Sequence, residues 1–126
     1  MTGVQTCALP ILRYGLLIAT TAALIGIAAP AFAQSPAAIE KGVTIFTAQK
    51  CALCHSVAGK GNPKGPLDEV GSTLTAAEIR QWLVNPAEMR EKAHAERKPA
   101  MKSFSTLSKD DLDALVAYIG SLKKKT

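Results

Sequence analysis

At 126 residues with a formal net charge of +5, the chain has length for one small domain and not for two. Its charges alternate in sign, and no basic run with interleaved aromatics precedes the terminal Lys123-Lys124-Lys125, which argues against a nucleic-acid partner. The lysine tail itself suits a solvated helix end, where cations complement the helix dipole.

Residues 1–11, MTGVQTCALPI, resemble the in-frame translation of a short-read sequencing adapter at every position. They are read as an assembly artefact, which removes Cys7 from the cysteine arithmetic. Residues 12–33 then read as a secretory signal peptide: Arg13 is the positive flank, YGLLIATTAALIGIAA the apolar stretch, and Ala31-Phe32-Ala33 a small-residue site cut after Ala33. An uncleaved anchor helix is the alternative, but Gly26 and Pro30 suit a peptidase better than a membrane exit. Residues 34–126 are therefore expected to be a soluble domain outside the cytoplasm, with no permanent membrane insertion after cleavage. Without Arg13 this part has 14 Lys and Arg against 10 Asp and Glu, a formal +4.

The first element of that domain starts at Ser35, a capping side chain followed by Pro36 at the first helical position. Ile39, Gly42, Val43 and Phe46 then fall at helical spacing, so one face runs up to the next motif. Gly42 costs about 1 kcal/mol against alanine inside a helix, and close approach of another helix would justify it.

Residues 51–55 read Cys51-Ala52-Leu53-Cys54-His55. A C-x-x-C pair alone fits a redox dithiol, a zinc half-site or a disulfide, whereas C-x-x-C-H reads as an attachment site for haem c. Thiols three apart on one helical turn point the same way and can form thioethers with the two vinyl groups of one haem. His55 is then carried under the iron as an axial ligand. The rivals fit poorly. A thioredoxin-like dithiol needs a βαβ setting, and no strand-period segment follows the signal peptide. Zinc needs four ligands, and the other nitrogen or sulfur donors of the domain are His94, Met89 and Met101. No second haem motif and no internal repeat occurs.

From Gly59 to Gly71 the chain reads GKGNPKGPLDEVG, turn chemistry expected to form a loop along one side of the haem. Thr75-Ala76-Ala77-Glu78 is a capping box opening a helix with Ile79, Trp82 and Leu83 on one side, stopped at Asn85-Pro86. Asn85 and Pro86 also begin a mostly charged segment, PAEMREKAHAERK, expected to be a helix that lies exposed and ends at Pro99. Ser108 caps the last helix, with Asp110 and Asp111 in its first turn and Leu112, Leu115, Val116, Ile119 and Leu122 as its stripe. With one Trp, two Phe and one Tyr, the domain has little core of its own, and a buried haem would supply apolar mass.

The order of these pieces resembles a class I cytochrome c over nearly all of 35–124: EKGVTIF before CALCH, GNPKGP after it, then QWLVNP, KPAMKSF and DDLDALVAYIGSL. The resemblance implies an all-α fold in which helices pack around one covalently bound haem and the first and last helices cross, with Gly42 and Phe46 facing Tyr118. It implies that Cys51 and Cys54 carry the haem, that His55 is the proximal ligand and donates its other ring nitrogen to the Pro66 carbonyl, and that Trp82 lines the pocket near the sixth ligand. By position it favours Met101 as that ligand, over Met89, His94 or an open site. The sequence departs from the family pattern in having Ala100 before Met101 and Lys102 after it, where a proline often follows.

A His/Met pair favours the ferrous state and fills both axial positions, which suits an electron carrier rather than an enzyme. The expectation is a monomeric periplasmic carrier exchanging single electrons with an oxidase, reductase or dehydrogenase. Lys60, Lys64, Lys98 and Lys102 lie in the two loops expected to flank the haem, where two readings stand side by side: a positive collar steering acidic partners, or lysines placed for solubility. The alternatives are a haem subunit held permanently in a larger oxidoreductase, and a ligand-binding or weakly peroxidatic haem protein with an open sixth site.

Overall fold

A computed structural model describes residues 34–125, so the adapter-like residues 1–11 and the expected signal peptide at 12–33 lie outside the described residues. Helix α1 spans Pro36–Ala48, followed by a 3-10 turn at Cys51–Leu53 and a two-stranded hairpin of β1 (Ser56–Val57) and β2 (Lys60–Gly61). Helices α2 (Val70–Thr73), α3 (Ala76–Val84), α4 (Pro86–Lys92) and α5 (Lys109–Ser121) complete the order. The fold is all-α, the hairpin being a tight connection with Ser56 opposite Gly61 and Val57 opposite Lys60.

Local chemistry sets the helix starts. Ser35 Oγ accepts from Ala38 N at 3.2 Å with Pro36 next to it, and Ser108 Oγ accepts from Asp111 N at 3.2 Å. At α3 the box closes in both directions: Thr75 N donates to Glu78 at 2.7 Å, and Glu78 N to Thr75 Oγ1 at 3.3 Å. Together these satisfy N–H groups that helix ends leave without partners. The Asn85 side chain behaves differently. It makes no backbone cap for α4 and donates instead to the Glu88 carboxylate.

Helices α1 and α5 cross as the main packed pair. A Cβ on Gly42 would collide with the Ala114 carbonyl oxygen and the Tyr118 Cβ, so the absent side chain sets the approach of the two backbones. One turn along, the Phe46 and Tyr118 rings meet edge to face, centroids 5.5 Å apart at 77°. Ile79 and Leu83 of α3 close the core against α5, where Leu115 is fully buried. Asp113 of α5 holds α3 by accepting from Arg80, and also accepts from Lys109 Nζ at 2.7 Å.

Three departures from the sequence expectation stand out. Of the C-x-x-C-H motif only Cys51–Leu53 is helical, a 3-10 turn that Cys54 and His55 follow, and the 59–71 stretch contains β2 and the start of α2. The charged helix stops at Lys92, well before Pro99. Its end is a Schellman motif: Ala95 N donates to Arg90 O at 2.9 Å and His94 N to Glu91 O at 3.2 Å, with His94 at φ 49. Among the described residues no helix is long and apolar enough to cross a membrane.

Candidate functional site

The end of α1, the 3-10 turn, α3 and the segment after α4 enclose a cavity of about 560 Å3. Its walls include Cys51, Cys54, His55, Trp82, Met101 and Phe46. Both thiols are half-buried and unbridged. Burial pushes the Cys51 thiol above its ordinary range, with the charge of Lys102 acting the other way.

The loop after the hairpin fixes His55. Its Nδ1 lies 3.2 Å from the Gly65 carbonyl oxygen, which also accepts from Ser56 N at 3.0 Å. The carbonyl can only accept, so Nδ1 carries the proton and Nε2 is left with a free lone pair. Burial lowers the imidazole's pKa, the Gly65 bond opposes that, and the charge of Arg97 adds to the lowering. A neutral ring, the ligating form, is thus favoured. The partner is Gly65 and not Pro66, whose carbonyl was expected in that place. Pro66 is exposed and bridges to Ser56 one residue further on, because Gly65 turns inward while Pro66 continues the backbone ladder. Only glycine fits at 65, where a Cβ would meet the Cys54 carbonyl and the Arg97 guanidinium.

On the other side, Met101 is half-buried and packs against the core cluster. Its segment is pinned to the end of α3 by Phe104 N to Leu83 O at 2.8 Å and Ser103 Oγ to Val84 O at 2.7 Å. Upstream, Arg97 donates from a guanidinium nitrogen to the Cys54 carbonyl. Neither Met89 nor His94 lines the cavity, and His94 is exposed at the end of α4.

Two arginines were missed by sequence reasoning, Arg90 and Arg97, both of which line the cavity. Arg90 was legible in principle, since Pro86, Met89 and Arg90 recur at i, i+3 and i+4 and form the inward face of a helix otherwise charged. Of the expected collar, Lys102 lines the cavity and Lys50 joins it, while Lys60, Lys64 and Lys98 are exposed outside its lining.

The family described as Cytochrome c matches residues 39–123. The chain belongs to the cytochrome c family. Membership implies covalently bound haem c and haem-based electron transfer. The cavity fits that group: paired thiols three apart, an imidazole with Nε2 free, a thioether, and a wall that is otherwise mostly apolar, with four cations and Gln49 as its further polar residues. It also carries an internal polar atom with no partner, Arg90 Nε. Among the described residues no group of three or more His, Cys, Asp or Glu is placed to hold a metal ion by itself. The chain is also similar to cytochrome c oxidase subunit 2 of Alkalihalophilus pseudofirmus, 26% identical over 92 residues. That match covers 66% of this chain and 25% of the relative, so the chain spans about a quarter of that protein's length.

Proposed function

We propose that this cytochrome c is a monomeric electron carrier of the bacterial periplasm, with one haem held by thioethers from Cys51 and Cys54 and axially ligated by His55 and Met101. The haem supplies a single reversible one-electron centre. The chain's own residues orient and shield it: Gly65 fixes the imidazole tautomer, Trp82 and Phe46 exclude water, and the Ser103 and Phe104 bonds hold the Met101 segment in place. The observation that carries this reading is the convergence of both thiols, the imidazole and the Met101 thioether on one cavity, with Met89 and His94 outside its lining. With His55 and Met101 both holding it, the iron would offer no site for substrate, and the chemistry supplied would be electron exchange with an oxidase, reductase or dehydrogenase.

A redox titration of the purified holoprotein with spectra recorded tests it. The ferric protein should show the weak red methionine-to-iron charge-transfer band, Met101→Ala should lose it and Met89→Ala should keep it. Survival of the band in Met101→Ala overturns the ligand assignment. Rapid carbon monoxide binding by the ferrous wild type would replace it with an open-site haem protein. The similarity to an oxidase subunit supports a second reading, a haem component held in a larger oxidoreductase. Recovery of the native protein only within such a complex would favour it.

A further inference from the structure

Four cations line the cavity, Lys50, Arg90, Arg97 and Lys102, and its lining contains no carboxylate. Three of the four have other surroundings. Arg97 donates to the Cys54 carbonyl, Lys102 lies 4.9 Å from the Phe104 ring centroid, and Lys50 is exposed. Arg90 alone among the described residues has a buried side-chain nitrogen, Nε, without a hydrogen-bond partner.

The helix that carries Arg90 does not serve it. Positions three and four away on α4 and its end are Ala87, Ala93, Pro86 and His94, none an acid. Glu88 is engaged by Lys92 and Asn85, and Glu91 is exposed. A buried guanidinium donor with no acceptor is costly, and proteins retain such a group where a ligand supplies the acceptor. A cavity walled by cations with no acid of its own is complementary to an anionic ligand. Haem brings two carboxylates.

Resting on the proposed haem site, we infer that Arg90 is a propionate-binding residue: its Nε–H donates to one haem propionate, and its charge holds that carboxyl ionised. The bound cation also offsets the carboxylate's negative charge near the iron. Loss of Arg90 therefore favours the ferric state and lowers the midpoint potential. The propionate faces Arg90 together with Arg97, Lys50 and Lys102 from the adjoining segments, while Glu88, Glu91 and Lys92 lie on α4 itself.

The test uses holoprotein with the haem propionates carbon-13 labelled, compared by redox-difference infrared spectroscopy and potentiometry across pH. In Arg90→Leu the labelled carboxylate band should move, the midpoint potential should fall, and the redox-linked propionate pKa should rise. Arg90→Lys should retain most of the potential but not the band position, and Lys92→Gln, on the exposed side of α4, should change neither. If Arg90→Leu does not accumulate, Arg90→Gln carries the same comparison. An unmoved propionate band and potential in these variants overturn the inference. Failure of the site reading is separately visible, as loss of covalent haem in Cys51→Ser or Cys54→Ser that never occurs.

Discussion

Gly42 meets the carbonyl oxygen of Ala114 at the crossing of α1 and α5, with no room between them for a Cβ. Alanine there would gain about 1 kcal/mol of helix propensity. It would also push on backbone and on Tyr118 Cβ, neither of which can swing away, and overpacking of this kind costs about 1–3 kcal/mol. Gly42→Ala is expected to lower stability by up to about 2 kcal/mol net, read as a lower urea midpoint of the holoprotein. A higher midpoint would show that the two helices can separate slightly at little cost.

Elements were legible where local chemistry announces itself. Ser35-Pro36, Thr75 with Glu78, and Ser108 with its acidic turn are caps written in three or four residues, and each forms the bonds its spacing predicts. That some helix would approach α1 closely was legible from Gly42, whose cost inside a helix calls for such a neighbour, and that this helix is α5 was implied by the family resemblance. What lay hidden was set by tertiary contact. That His55 would choose the Gly65 carbonyl over that of Pro66 depends on which peptide turns inward, a matter of a single residue's backbone direction. The end of α4 was hidden because a Schellman turn on His94, rather than on glycine, stops it before the proline. Arg97 gave no signal, since its partner is a carbonyl 43 positions away in sequence.

Arg97 joins the segment preceding Met101 to the haem-attachment turn, and the Ser103 and Phe104 bonds hold the segment's other side to α3. These anchors stand in for the proline that often follows the methionine in the family. Arg97→Ala removes a charge-assisted bond worth about 1.5–3 kcal/mol where buried, less here because the side chain is exposed. Replacement of the proposed ligand Met101 by added imidazole, followed by loss of the red band, should become about three- to tenfold more favourable, while the urea midpoint changes little. An unchanged imidazole affinity would mean that the α3 bonds alone secure the loop.

Asp113 ties α3 to α5, and its carboxyl lies below the ordinary range, held there first by the Lys109 hydrogen bond and then by Arg80, with burial opposing. A carboxyl whose folded pKa is depressed contributes stability above its unfolded pKa and loses it as pH falls through the folded value. Asp113→Asn should therefore lower stability at neutral pH by less than about 1 kcal/mol, as expected for a partly exposed ion pair. The gap between variant and wild type should close as the solution is made acidic, through and below the range of an ordinary carboxylate. Unfolding curves across that range check both size and direction, and a gap that widened in acid would contradict the depressed carboxyl.

Lys50, Lys102 and Leu53 line the same cavity and are exposed, Leu53 by 71%. A cavity rim with a solvent-facing apolar residue and cations suits a transient contact in which charge steers the approach and the apolar residue makes the final touch. Lys102→Gln should slow electron exchange with an acidic partner by about fivefold at low ionic strength, equivalent to ~1 kcal/mol of steering. At high salt the two proteins should react at the same rate, because the Debye length falls to about 3 Å at 1 M. Stopped-flow mixing over a salt series separates this from a change in potential, since an altered driving force would persist at every ionic strength.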